Sequence, residues 1–369
     1  MRKTVIVIPT YNEKGNVERM IEAIFSEAET IPNWEIHVLV VDSFSPDGTN
    51  RIVVGLRKRY PNLHLIEAPK AGLGRAYTAG FRFALDKLHA YLLFEMDADL
   101  SHNPHMIKAF LEQIEAGADL VIGSRYIKNG SIPSDWGWHR KLFSVAGNLI
   151  VRFGFMQPKV TDWTNGYRAI KAWVIKNAFD HISNYSGYVF QIALLDSALK
   201  SGARLSEIPC RFQDRKVGQS KINSIEYIVN ILLYVFSHSA FIKFVIVGLI
   251  GFGIDFGISY LLIEKAHWIV WKATLTSTEI AIVSNFLLNN FWSFAHKKLD
   301  YTPLNYLWNF IKFNLISSGS VVIQTLGITA AVALFGKPLW YVYKVLIIAL
   351  VIIPYSYVLY NKIIWKEKK

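Results

Sequence analysis

Asp97 and Asp99 stand one residue apart near the end of the stretch Tyr91–His102, YLLFEMDADLSH. Carboxylates at that spacing are hard oxygen ligands for Mg²⁺ or Mn²⁺, and such an ion bridges to substrate phosphates. The run Tyr91, Leu92, Leu93, Phe94 before them has the length of a buried strand. A parallel strand that releases acids at its carboxyl end puts them where open α/β sheets bind ligands. An Asp-rich turn after a strand gives the same letters, since Asp is a common turn residue. The pair alone does not decide between these readings, so the elements around it must.

Those elements alternate. Thr4–Pro9, Ile36–Asp42, Leu63–Glu67, Tyr91–Met96 and Leu120–Ser124 read as short strands. Val17–Glu27, a segment ending near Tyr60, Arg75–Lys87 and Pro104–Glu115 read as the helices between them. Alternation of this kind predicts an α/β fold with a mainly parallel, twisted sheet and helices on both faces. After Arg125 the pattern loosens. Lys128–Trp138 reads as a long loop, Tyr188–Ser201 as a helix and Arg204–Phe212 as a strand. Arg140–Phe155 is basic, apolar and aromatic, which fits both a core helix and a helix at a bilayer surface.

A chain of 369 residues, 52% hydrophobic, has room for two domains. Its formal charge of +12, from 40 Lys and Arg against 28 Asp and Glu, calls for an anionic partner. From Phe241 onward long apolar runs dominate, which favours a phosphorylated substrate or a membrane surface over nucleic acid. The one cysteine, Cys210, excludes an internal disulfide and a C-x-x-C zinc site, and reads as a small core residue. The amino-terminal apolar run stops at Pro9, too short for a signal peptide, so the first domain is expected in the cytosol.

Four segments meet the ~20-residue requirement for crossing a bilayer. They are Phe244–Ile263, Ala273–Ala295, Phe313–Phe335 and Leu339–Tyr360. Lys297, Lys298, Lys312 and the lysines of the tail place both termini in the cytoplasm. The expected organisation is a catalytic domain over 1–221, an amphipathic interfacial linker over 222–241 and a membrane domain over 242–369. Asp255, Glu279, Asn285, Asn289 and Asn290 fall within the spans, where polar groups face a cavity or bond a neighbouring helix.

Several motifs can now be taken together: Pro9–Glu13 (PTYNE), Ser45–Thr49 (SPDGT), Met96–His102, Gly123–Tyr126 (GSRY), Asp214-Arg215 and Gly218–Lys221 (GQSK). In this order they resemble the dolichol-phosphate mannose synthases, inverting glycosyltransferases of family 2 with the GT-A fold, over about residues 4–222. The spans resemble the GtrA-type membrane domain through Lys243-Phe244, Val247-Gly248, Asp255 and Asn285–Phe294. The resemblance implies transfer of mannose from GDP-mannose to a dolichyl or polyprenyl phosphate, at the cytoplasmic membrane of a prokaryote. It implies that Asp97, Asp99 and Ser101 hold Mg²⁺ or Mn²⁺. It further implies donor contacts from Pro9, Tyr11, Glu13, Asp42, Asp97, Ala98, Asp99, Arg215 and Lys221. Arg125, Arg140 and Ser144 would hold the acceptor phosphate, with Asp99, Arg125 and Arg140 central to catalysis.

Two departures stand out. The family pattern V-D-D-N-S is here Val41-Asp42-Ser43-Phe44-Ser45, so Ser43 and Phe44 replace an acid and an amide beside the nucleoside. That keeps a UDP-sugar donor open. Ser101 stands where some relatives place a metal-ligating Gln. The reading of another class is a membrane transporter or scaffold with a degenerate transferase domain, against which the intact D-x-D, Gly-Ser-Arg and Ser-Lys argue. A dinucleotide oxidoreductase is disfavoured, because Gly72-Leu73-Gly74 lacks the third glycine at Tyr77.

Overall fold

The β-branched run at the amino terminus forms β1 (Arg2–Thr10), and the expected alternation follows: α1 (Val17–Ala28), β2 (Trp34–Asp42), α2 (Thr49–Leu56), β3 (Leu63–Glu67), α3 (Leu73–Asp86), β4 (Leu92–Glu95), α4 (Ile107–Glu115) and β5 (Leu120–Ser124). The structure is a computed structural model that describes residues 1–212, 224–300 and 302–366. Strands β1 to β4 pair in parallel. Val5–Ile8 and Val38–Val41 are wholly inaccessible to solvent. Both faces of these strands are covered, so they read as unbroken apolar runs instead of alternating ones. On one face Ile6, Ile8, Val38 and Phe94 pack with Met20 and Ile24 of α1 and Phe110 and Ile114 of α4. On the other, Gly80 of α3 lies so close to Val7 and Val41 that a Cβ there would collide with Val7.

Past β5 the chain departs from simple alternation, through α5 (Trp138–Gly154), β6 (Arg168–Lys171), α6 (Ala172–Ile182), α7 (Gly187–Lys200) and β7 (Leu205–Pro209). β6 inserts antiparallel between β4 and β5, in a sheet ordered β3-β2-β1-β4-β6-β5-β7. Cys210 is buried behind β7, and burial pushes its thiol up to about 11, which suits a core residue and not a nucleophile.

The order of the strands fixes where a ligand can sit. β1 has β2 on one side and β4 on the other, so the β1–β4 seam is a topological switch point. The β1–β4 ladder stops at Val7↔Glu95, whereas the β1–β2 ladder continues to Thr10↔Asp42. The seam therefore opens at the carboxyl ends. Pro9, which has no N–H to give, falls where β1 has lost its β4 partner.

Met1–Tyr234 and Val235–Lys369 form two compact units. The boundary falls within the helix α8 (Ser224–His238), whose Val229, Leu232 and Phe236 are exposed and share one face. The second unit holds α9 (Ala240–Tyr260), α10 (Val270–Leu288), α11 (Pro303–Phe335), α12 (Trp340–Ile347) and α13 (Ile353–Leu359). Among the described residues three stretches are long and apolar enough to cross a membrane: Ala240–Lys265, Pro303–Phe335 and Lys337–Ile364. The fourth expected span lies in α10 and the π-helical turn Asn289–Ser293. It is helical over a sufficient length, but Thr274, Thr276, Ser277, Thr278 and Glu279 lower its hydropathy. Several of these polar groups are bonded internally. Ser277 and Thr278 donate their hydroxyls to Asp255 of α9 at 2.5 and 3.1 Å, and Thr274 and Thr276 donate to carbonyls one turn back.

Candidate active site

Three loops leave the sheet at the open end of the β1–β4 seam. The first two, after β1 and β2, are tied together through Asp42. Thr10 Oγ1 donates to Asp42 Oδ1 (2.8 Å), Ser45 Oγ donates to the same oxygen (2.6 Å), and the Ser45 N–H donates to Oδ2 (2.8 Å). Ser45 Oγ in turn accepts from the Asn12 N–H, and Thr49 Oγ1 accepts from the Glu13 N–H, each at 3.0 Å. Asp42 is completely buried. Its carboxylate clamps the two loops. Glu13 accepts from Asn16 at the start of α1, and Tyr11 carries the Lys70 ammonium 3.6 Å above its ring.

The third loop carries the paired acids. The Asp97 N–H donates to His102 Nδ1 at 3.0 Å, which leaves the proton of a neutral imidazole on Nε2, 3.8 Å from Asp97 Oδ2. Tyr167 stacks on His102 with centroids 4.8 Å apart, fixing the ring. The buried Tyr77 hydroxyl donates to Asp97 Oδ1 at 3.4 Å. Asp99 is nearly buried and accepts the Ser101 N–H at 3.1 Å. Ser101 Oγ is buried without a hydrogen-bond partner. Ala98 packs into the core cluster, so only its backbone can reach a donor. Among the described residues no group of three or more His, Cys, Asp and Glu is set to enclose a metal. Two carboxylates with an unpartnered hydroxyl nonetheless fit Mg²⁺ or Mn²⁺, because such ions keep waters and take further oxygens from substrate phosphates.

Arg125, at the end of β5, has a duty that its sequence position did not reveal. Its Nε and Nη2 donate to the two oxygens of Asp162 at 2.7 and 2.8 Å, and Nη2 also donates to Thr164 at 2.8 Å. Three of its five N–H donors are thus committed to the loop before β6. Burial works against the Asp162 charge, but the Arg125 guanidinium and its hydrogen bonds outweigh it and hold the carboxyl below its usual range. Arg168 anchors the same loop from β6, donating to the carbonyls of Trp163, Asn165 and Gln191. It stands opposite Glu95 in the β4–β6 register. Burial raises the Glu95 carboxyl to about 7 despite Arg168, and neither Glu95 nor the Gln191 amide makes a hydrogen bond of good geometry.

Arg140 and Ser144 lie one turn apart on α5. The Arg140 guanidinium sits 3.8 Å above the Trp136 ring, and Ser144 Oγ shares a 2.6 Å hydrogen bond with Tyr126 OH. A chain of rings joins this place to the acids: Trp136 meets Phe212 at 5.9 Å, and Phe212 meets His102 at 6.2 Å. Helix α5 has a buried face and an exposed one. Gly147, Asn148 and Val151 are buried, while Trp138, Leu142, Val145, Leu149 and Phe153 form an exposed apolar ridge. Arg215 and Lys221 lie outside the described residues.

Sequence reasoning missed His102 as the holder of Asp97 and Asp162 as the partner of Arg125. The available signals were a histidine five residues after the first acid and the run Asp162–Arg168 (DWTNGYR), which resembles the family's D-x-T-S-G-F-R loop but does not announce the pairing with Arg125.

Residues 5–192 match the family model "Glycosyl transferase family 2", and residues 243–365 match "GtrA/DPMS, transmembrane domain". The chain belongs to glycosyl transferase family 2, with a GT-A-type catalytic domain followed by a helical membrane domain. It is similar to a polyprenol monophosphomannose synthase of Mycolicibacterium smegmatis, 37% identical over 224 residues, covering 60% of this chain and 82% of that one. An undecaprenyl-phosphate mannosyltransferase of Micrococcus luteus is 36% identical over 222 residues, covering 60% and 88%. A dolichol-phosphate mannosyltransferase of Pyrococcus furiosus is 29% identical over 332 residues, covering 87% and 88%.

Proposed function

We propose that this protein transfers mannose from GDP-mannose, with inversion, to the phosphate of a dolichyl or polyprenyl lipid and releases GDP. All three relatives are named for mannose transfer to a polyisoprenoid carrier or for making its mannosyl phosphate. The observation that carries the reading in this chain is the course of α5. One helix presents Arg140 and Ser144 on a ring-lined path to the paired acids, and an exposed apolar ridge beside them. A lipid phosphate needs both surfaces.

In the proposed reaction an oxygen of the acceptor phosphate attacks the anomeric carbon, and the bond from that carbon to the diphosphate of GDP breaks. The acceptor is already anionic, since a phosphate monoester has its second pKa near ~6. The protein therefore need not remove a proton. Its task is to hold two mutually repelling phosphates in line. Mg²⁺ or Mn²⁺, bound by Asp97 and Asp99 with Ser101 at its edge, would neutralise charge on the departing diphosphate. Tyr77 and His102 orient Asp97. Arg125, Arg140 and Ser144 position the acceptor, joined in this proposal by Arg215 and Lys221 on the donor side.

The test is labelled transfer from GDP-mannose, UDP-glucose and UDP-GlcNAc in turn to a short polyprenyl phosphate. Only GDP-mannose is expected to label the lipid. Arg140→Ala should raise the KM for the lipid about ten- to hundredfold, the effect of losing a charge-assisted contact of ~1.5–3 kcal/mol. The donor KM should barely move. A shifted donor curve with an unshifted lipid curve would put the acceptor on the other side of the metal.

For the whole chain we place the boundaries at 1–221, 222–241 and 242–369, with the catalytic domain and both termini cytoplasmic. An even number of crossings then requires α10 to span despite its polar residues. Reporter fusions at the two ends should report the same side, and opposite sides would mean that α10 does not cross.

A further inference from the structure

Among the described residues, seven non-glycine residues have positive φ. Three of them, Asn12 (60°), Phe44 (52°) and Leu100 (64°), sit in the loops that follow β1, β2 and β4 at the open end of the seam. Asn tolerates this conformation. For a bulky residue it is an outlier, held only where the surroundings over-determine it. Phe44 is fixed from both sides. The Ser43 N–H donates to the Thr10 carbonyl at 2.9 Å, and Ser45 is clamped to Asp42 through its N–H and its hydroxyl. The result is an aromatic ring left 57% exposed on the rim of the site. Burial does not account for it, since the strained backbone holds the ring out in water.

Strand spacing says what lies within reach of the ring. Neighbouring strands lie roughly 4.8 Å apart, so the end of β2, two strands from β4, is about 10 Å from the paired acids. A ribose and its base bridge about that span from a diphosphate held at Asp97 and Asp99. Tyr11, the other aromatic there, already has one face covered by Lys70. We propose that Phe44 is the stacking platform for the donor's nucleobase, so that the base is held through its face more than through its polar edge. The inference rests on the donor reading above only in taking the ligand to be a nucleoside diphosphate sugar. Stacking is tolerant of base identity and grows with ring area, which favours guanine over uracil without excluding uracil.

The experiment is calorimetric titration of the full-length protein in detergent with GDP and Mg²⁺, paired with donor kinetics and thermal melts. Phe44→Ala should weaken GDP about five- to hundredfold, the range for loss of one base-stacking aromatic, and raise the donor KM more than it lowers kcat. Phe44→Tyr should retain wild-type binding. Phe44→Asn should relieve the backbone, so the melting temperature holds or rises while GDP binding weakens. That opposition separates a platform from a structural prop. GDP affinity within twofold of wild type in Phe44→Ala would overturn the proposal, as would a loss of stability in Phe44→Asn matching its loss of affinity. If UDP binds the wild type, GDP does not, and Phe44→Ala weakens UDP, the platform stands and the GDP-mannose reading falls.

Discussion

Asp99→Asn is expected to lower transfer about 10²–10³-fold, the usual loss when one group stabilising transition-state charge is removed. The substitution keeps the shape of the side chain and an oxygen that can still accept the Ser101 N–H. What it removes is the negative charge, which is what a divalent ion near a diphosphate requires. The melting temperature should change little, because a nearly buried carboxylate becomes neutral without a new cavity. Asp97→Asn should act in the same direction. Its effect on the loop should be larger, since both Tyr77 and His102 approach that carboxylate. Mn²⁺ titration followed by electron paramagnetic resonance gives a readout independent of turnover. Each variant should bind the ion in the presence of GDP at least tenfold more weakly. Wild-type turnover in Asp99→Asn, or undiminished wild-type activity in excess chelator, would remove the metal from the mechanism.

How far the sequence reached depended on how local each feature is. The central runs of β1, β2, β4 and β5 were legible because strand segments buried on both faces are largely apolar, and β3 because its short run Leu63–Glu67 falls in the same alternation. β6 was not. It has four residues, Arg168, Ala169, Ile170 and Lys171, with a charge at either end. It exists because β4 and β5 each offer it an edge, and because Arg168 finds carbonyls to bond and faces Glu95. Apart from the nearby carbonyls of Trp163 and Asn165, those causes lie 23 or more residues away in the chain. The paired acids were legible as a spacing, whereas His102 became meaningful only once its ring was seen to accept from Asp97. The clamp made by Asp42 was hidden for a related reason. An acid at a strand end signals a site, and the loops it clamps carry residues of that site, but the carboxylate itself is enclosed. In the membrane unit, length was legible and hydropathy was not uniform. Helix α10 can carry its hydroxyls because Asp255 and the preceding turn accept from them.

Arg125→Ala is expected to destabilise the catalytic unit by about 3–5 kcal/mol, the cost of breaking a buried ion pair and stranding one charge. The stranded group is Asp162, wholly buried, which would keep only its backbone N–H donors, those of residues 125, 164 and 165. The pH dependence gives the sharper test. In the wild type the folded carboxyl lies below its unfolded value, so its contribution is fully present above the unfolded pKa of about 3.9 and is lost only as pH falls through the folded one. Near neutrality the wild type should therefore show no slope from this pair. In Arg125→Ala the opposing charge is gone, and burial, the largest influence on this carboxyl, is set only against the three remaining N–H bonds, which it is expected to outweigh, raising the carboxyl above its unfolded value. The sign reverses: the variant should gain stability as the pH is lowered from 7 toward 5. Urea unfolding of the solubilised protein across that range measures it. The double variant Arg125→Met, Asp162→Asn removes both charges and should recover most of the lost stability, the behaviour of a pair replaced by neutral groups. Turnover should not return with it, because the guanidinium proposed to meet the acceptor phosphate is still missing. Recovery of turnover together with stability would instead confine Arg125 to holding the loop before β6 and leave the acceptor to Arg140.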